Sequence, residues 1–171
     1  MIGKELIEEC DRYRDASVEK VVKLILEGAN LNLQEDKNGH TALINASFYN
    51  YNEIVEILCK CGANLDLQSY TFGYTALIEA VGEDNKKIVE RLLKYGANPF
   101  LEDNQGKTAM DWARSKDTKE MLAKHTAEII LDKIDKGKIL DEKEEKMKGL
   151  ALRFTLKECD KRAVKILENI I

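Results

Sequence analysis

The sequence predicts an all-α solenoid: helix-turn-helix units stacked in a row, joined by short hairpin fingers and closed by a helical C-terminal cap. Three observations predict it. Six of the ten glycines fall in two registers, with Gly28, Gly62 and Gly96 spaced 34 and 34, and Gly39, Gly73 and Gly106 spaced 34 and 33. The neighbours recur with them: Gly-Ala-Asn at Gly28, Gly62 and Gly96, then GHTALI from Gly39, GYTALI from Gly73 and GKTAMD from Gly106. Between these marks lie apolar residues at helical spacing. A period of 33 to 34 with matched motifs describes supersecondary units that bury their apolar faces only by stacking.

Each element can be justified in order. The first helix, about Lys4–Tyr13, carries Leu6, Ile7 and Cys10 as its inward stripe, and a second follows over Val18–Glu27; residues 1–35 read as an N-terminal capping repeat. Repeats follow at 36–69 and 70–102. Thr41, Thr75 and Thr108 precede apolar helical patterns and read as N-caps, their hydroxyls accepting backbone N–H bonds. Leu43, Ala46 and Ser47 make a short first helix whose small residues let a neighbour pack close, and Leu77, Ala80 and Val81 repeat it. The second helices bury Ile54, Val55, Ile57, Leu58 and Cys59, then Ile88, Val89, Leu92 and Leu93. Gly62 and Gly96 stand where each ends and φ turns positive. The fingers are polar, with turn residues at Asp36–Gly39 and Asp103–Gly106. Gly28 to Thr41 and Gly62 to Thr75 are 13 residues each, against 12 from Gly96 to Thr108, so the first two fingers carry one extra residue at the tip. A further repeat over 103–136 has an extended second helix, about Thr118–Lys136: the step from Thr108 to Gly137 is 29 residues against 21 in the two repeats before it. Residues 137–171 read as a degenerate repeat or a helical cap, with Phe154, Leu156, Val164, Ile166, Leu167 and Ile170 expected to cover the last open face.

Order, spacing and residue type over three consecutive motifs resemble the ankyrin repeat family across about residues 17–124. The resemblance implies antiparallel helix pairs joined by fingers in a curved array, with fingers and first helices lining one concave face. The chain departs from the family's Thr-Pro-Leu-His at Ala42, Ala76 and Ala109, where the proline falls, and at Ile44, Ile78 and Asp111, where the histidine falls. The departures remove a pre-set φ in the first helical turn and a polar link between repeats.

Composition narrows function. Lys plus Arg is 27 and Asp plus Glu is 31, a net charge of −4, which gives no general attraction to phosphate backbones and argues against nucleic acid. No apolar run approaches a membrane span, and the first ten residues lack the apolar core of a secretory signal. Four irregularly spaced cysteines, Cys10, Cys59, Cys61 and Cys159, read as reduced thiols. A cytoplasmic protein is expected, while composition rich in Lys, Ile and Asn leaves delivery into a host cell open. The expectation is no enzyme, no cofactor and no metal. His40 reads as a solvent-exposed finger residue and His125 as a partly buried structural one. Neither has a nucleophile motif beside it, and the glycines are spent on repeat turns rather than phosphate loops. Cys59-Lys60-Cys61 lacks the second ligand pair that a zinc site requires.

The aromatics carry the functional signal. Six of the 11, Phe48, Tyr49, Tyr51, Tyr70, Phe72 and Tyr74, fall within residues 48–74. Phe48, Tyr49, Phe72 and Tyr74 stand at positions the family varies to suit its partners. Trp112 takes the first-helix place held by Asn45 and Glu79 in the repeats before it. Tyr and Trp combine a large apolar body with a polar tip, which suits an interface anchor. The expectation is a protein-protein interaction module, acting as adaptor, inhibitor or scaffold. It would bind another protein on its concave face through Phe48, Tyr49, Phe72, Tyr74 and Trp112. The alternative is self-association into a homo-oligomer through the finger aromatics or the C-terminal helix. For any single ring, packing on a neighbouring finger is the competing explanation, strongest for Tyr51 and Tyr70.

Overall fold

The structure is a computed structural model and describes residues 2–13, 15–34, 37–142, 144, 145 and 149. Eight helices are present among them: α1 Ile2–Cys10, α2 Val18–Leu26, α3 Ala42–Phe48, α4 Asn52–Lys60, α5 Ala76–Gly82, α6 Lys86–Lys94, α7 Ala109–Trp112 and α8 Lys116–Asp135. The described residues form no β-sheet, only one isolated antiparallel bridge between Glu102 and Thr108. The fold is an all-α repeat array.

The chain divides after Thr118 into two units. In the first, α1, α3, α5 and α7 pack successively in one row, and α2, α4 and α6 in a second. The core lies between the rows. Leu6, Leu43, Ile44, Leu77 and Ile78 face it from the first row, and Val21, Ile54, Val55, Leu58, Ile88, Val89 and Leu92 from the second. The expected stripe of Leu6, Ile7 and Cys10 is buried.

The recurring motifs resolve into backbone chemistry. Thr41 and Thr75 accept from the amides of Ile44 and Ile78, each at 3.2 Å, and so start α3 and α5. Thr108 does the work differently: its amide and hydroxyl both donate to Asp111 Oδ2 at 2.8 Å. Gly-Ala-Asn ends a second helix in three acts. Gly62, at φ 82°, turns the chain left-handed. Its N–H donates to Cys59 O at 3.1 Å and that of Ala63 to Leu58 O at 3.0 Å, satisfying two terminal carbonyls. Asn64 Oδ1 then accepts from Asp66 N at 3.0 Å. The same set recurs at Gly28 and Gly96. The turns after α3 and α5 use the same device with Asn50 (φ 62°) and Asp84 (φ 53°) in place of glycine.

Stacking of the fingers also repeats at 34 residues. Gln34 Nε2 donates to Gly39 O and Gln68 O, both at 2.8 Å; Gln68 Nε2 donates to Gly73 O at 2.8 Å and Glu102 O at 2.7 Å. Each glutamine thus closes its own finger and ties it to the next. Backbone links run alongside, Tyr70 N to Asn38 O and Asn104 N to Phe72 O. The extra tip residue is visible in the second finger, where Gly73 N reaches back to Ser69 O; in the third, Gly106 N reaches Asp103 O, one residue fewer. The first finger's tip includes 35 and 36, which lie outside the described residues.

Two features depart from the repeats before them: the length of α7 and the start of α8. Helix α7 has four residues where α3 and α5 have seven. Ala113 leaves the helix at ψ 120°, because the next residues serve the following helix instead. Ser115 Oγ accepts from Thr118 N, and the hydroxyls of Ser115 and Thr118 both donate to Asp84 Oδ1, at 2.9 and 2.6 Å. Helix α8 therefore starts at Lys116 rather than about Thr118. The second unit holds the rest of α8, ended by Gly137 at φ 63°. There Lys133 pairs with Glu144. The expected cap residues Phe154, Leu156, Val164, Ile166, Leu167 and Ile170 lie outside the described residues.

Candidate functional site

The first helices and the fingers leave a groove between them in the first unit, of about 480 Å³. That is the size of a ligand cleft. Asn38, His40, Phe72 and Tyr74 line it from the fingers. Asn45, Phe48, Tyr49, Ile78, Glu79, Gly82, Glu83 and Trp112 line it from α3, α5, α7 and their ends, with Asp11 and Arg114 at its margins. All five aromatics singled out from the sequence border this one groove. They are not equally open: Phe48 is 42% and Phe72 51% exposed, whereas Tyr49, Tyr74 and Trp112 are half-buried.

The rings also contact one another. Phe48 meets Tyr49 edge-on with centroids 4.9 Å apart, and Tyr49 contacts Tyr13 and Tyr51. Across the groove Phe72 stacks on Tyr74 at 5.3 Å, and Tyr74 meets Trp112 edge-on at 5.4 Å. The rings thus contact one another and at the same time line the groove. Tyr51 and Tyr70 lie outside it. The Tyr51 hydroxyl donates to the Arg12 carbonyl, and the Tyr70 ring lies over Gly39.

Trp112 is held by its indole. Nε1 donates to Asp103 Oδ2 at 2.8 Å, while Oδ1 of the same carboxylate accepts from the amides of Gln105 (2.8 Å) and Lys107 (3.0 Å). Burial raises the Asp103 pKa, but these donors outweigh it and hold the group below its ordinary value. Lys107 Nζ sits 4.7 Å from the centre of the Trp112 ring. His40 is a half-buried groove residue rather than the solvent-exposed finger residue expected, with Nδ1 2.9 Å from Asn45 Oδ1.

Glu79 is the groove residue that sequence reasoning missed. It occupies the place in α5 that Asn45 occupies in α3 and Trp112 in α7. Those two have partners, His40 and Asp103; among the described residues the Glu79 side chain has neither a hydrogen bond nor an ion pair, and its nearest charge is the Glu83 carboxylate. Burial first, then the neighbouring Glu83 carboxylate, push its pKa up to about 7. Its register was legible, but a glutamate on a short helix gives no sign that it is half-buried in a groove.

A stability effect follows from that shift. The folded pKa lies above the unfolded one, so folding favours the protonated acid. Stability therefore falls as pH rises from about 4.5 to 7 and then levels. Glu79→Gln removes the charge and is expected to raise unfolding stability at pH 8 by about 2–3 kcal/mol, with no gain at pH 4. Urea unfolding at the two pH values checks it.

Outside the groove the titratable groups read as structural. Burial pushes Cys10 up to about 12 and Cys59 up to about 11, so both are inert thiols. Burial lowers the pKa of His125, which is partly buried in α8. Among the described residues no group of three or more His, Cys, Asp or Glu could hold a metal ion. No helix among them is long and apolar enough to cross a membrane.

The comparisons agree with this architecture. The family model for ankyrin repeats (3 copies) matches residues 14–103 and 63–133. No curated protein matches the chain. Among solved structures the chain is similar to the ankyrin repeat domain of Bcl-3, described as a unique member of the IkappaB protein family. The identity is 29% and the TM-score 0.61, over 71% of this chain and 50% of that one. The chain thus spans half the length of that structure. Ankyrin repeats are protein-protein interaction modules, and their proteins typically work without catalysis. With the Gly-Ala-Asn helix ends, the glutamine-tied fingers and a model match over most of its length, the chain belongs to the ankyrin repeat family.

Proposed function

We propose that this chain is a protein-binding module whose partner sits in the groove between fingers and first helices. Phe48, Tyr49, Phe72, Tyr74 and Trp112 serve as anchors. The carrying observation is that five rings from three successive repeats meet around one pre-formed cleft. A rigid array lowers the ordering cost of binding. Exposed apolar rings gathered in one place are the mark of an interaction surface. The functional unit comprises a capping repeat at 1–35, repeats at 36–69, 70–102 and 103–136, and a degenerate repeat or cap at 137–171. It acts in the cytoplasm as an adaptor, inhibitor or scaffold. The net charge of −4 supports a protein partner over nucleic acid.

The test uses peptides selected from a random displayed library on the immobilised chain. The double substitution Tyr49→Ala with Phe72→Ala is expected to weaken the selected peptides about thirtyfold, the effect of losing an anchor worth about 2 kcal/mol. The melting temperature should move little. A large drop in melting temperature with unchanged binding would assign the rings to packing alone. A dimeric wild type that the double substitution makes monomeric would identify the partner as a second copy of the chain.

A further inference from the structure

The groove is chemically one-sided. Five aromatic rings line it, and three carboxylates, Asp11, Glu79 and Glu83, stand against one guanidinium, Arg114. Three side chains stand at the same register along its helical wall. Asn45 is met by His40 and Trp112 by Asp103. The Glu79 side chain, between them, has no hydrogen bond or ion pair to a described residue. Glu79 is half-buried, and a carboxylate drawn even partly out of water is stabilised by a partner of opposite charge. Ring faces carry negative potential and attract cations, more strongly where water is excluded. The cleft thus offers a half-buried acceptor in a groove that five aromatic rings also line, complementary to one cation on an apolar stem.

Resting on the reading of the groove as the partner site, we infer that it receives a lysine or arginine side chain of the partner protein. The ammonium or guanidinium is set against the Glu79 carboxylate, and the aliphatic stem lies among Phe72, Tyr74 and Phe48. A bare metal cation would gain little from the rings and finds no ligand cluster here. An acidic segment would face three carboxylates.

The pairing has a pH signature. Glu79 must be ionised to receive the cation, and its ordinary state near pH 7 is only half so. Affinity should therefore fall about tenfold from pH 8 to pH 6, in proportion to the ionised fraction. Asp11, His40, Tyr49, Tyr74, Glu83 and Arg114 are the other titratable or charged groups of the groove. Glu79→Gln leaves all of these in place and so isolates the contribution of Glu79.

The experiment takes the peptides selected on the whole chain. Each is synthesised again with norleucine for lysine or citrulline for arginine. The expected result is a selected consensus containing a basic residue, whose neutral replacement weakens binding to the wild type at least tenfold. On Glu79→Gln the basic and neutral peptides should bind alike, and most of the pH dependence should vanish. Because the neutral peptide is tested on the unaltered chain, the result does not depend on the variant's folding. Peptides that lose affinity on the Tyr49→Ala, Phe72→Ala chain yet are neutral or acidic would overturn the cation pairing and leave the groove as the partner site. An equal penalty for the neutral peptide on wild type and Glu79→Gln would overturn it too. Peptides indifferent to the double substitution would remove the groove reading, and this inference with it.

Discussion

Alanine at Gly39 or Gly73 is expected to cost about 3 kcal/mol or more, whereas alanine at Gly28, Gly62 or Gly96 should cost about 1–2 kcal/mol. All five glycines have positive φ, between 68° and 92°. That strain is common to every one of them. The difference is what a Cβ would meet. At Gly39 it would lie 2.6 Å from the Tyr70 backbone nitrogen, and at Gly73 2.8 Å from that of Asn104. Both nitrogens belong to the next finger and already bond backward, Tyr70 to Asn38 and Asn104 to Phe72. Alanine there would pry stacked fingers apart. At the three helix-ending glycines nothing lies within 4 Å. Urea midpoints of the five single variants check the split; five equal losses would mean the fingers tolerate separation.

Glu9→Ala is the second large effect. The Glu9 side chain is 1% exposed, with Lys20 Nζ 2.6 Å and Arg12 Nη1 3.6 Å from Oε2. The amide of Ser17 donates to Oε1 at 2.8 Å, so one carboxylate joins α1 to the N-terminus of α2. Removal strands a backbone donor and breaks a charge-assisted pair, but Lys20 and Arg12 are each about half exposed and can turn to water. The expected loss is about 2–3 kcal/mol, the low end for a buried pair. Burial alone would raise the Glu9 pKa; the Lys20 bond, the Ser17 amide and the Arg12 charge outweigh it and lower it. A depressed folded pKa stabilises above the unfolded value and is lost as pH falls through the folded one. The gap between wild type and Glu9→Ala should thus be full at pH 7 and shrink below about pH 4. A gap that persists undiminished at pH 2 would make the loss one of packing.

These two sites show how unevenly the sequence discloses the fold. Gly-Ala-Asn and the threonine caps announce themselves because each acts on its own neighbours within a few residues. The glutamine ladder does not: Gln34 and Gln68 look like ordinary polar loop residues until the fingers stack and bring carbonyls 34 residues away into reach. The short α7 was hidden for a similar reason. Whether Ser115 continues one helix or caps the next is decided by Asp84, 31 residues earlier. In the groove the rings were legible, since the family resemblance implies that these positions vary with the partner. Glu79 was not, since its chemistry comes from partial burial, the nearby Glu83 charge and a carboxylate without a hydrogen bond or ion pair among the described residues.

The most direct measurement is a map of the bound surface. With a selected peptide added to the isotope-labelled chain, side-chain resonances are followed for the groove and for the outer faces of α4 and α6. Trp112, the single tryptophan, adds an independent fluorescence signal from inside the cleft. The predicted result is that Phe48, Tyr49, Phe72, Tyr74, Glu79 and the Trp112 indole shift together and saturate at one affinity, with the emission of Trp112 changing in step. Shifts confined to the outer helices, around Glu56, Lys87, Glu90 and Lys94, with the groove rings and Trp112 unmoved, would contradict the assignment of this cleft as the partner site.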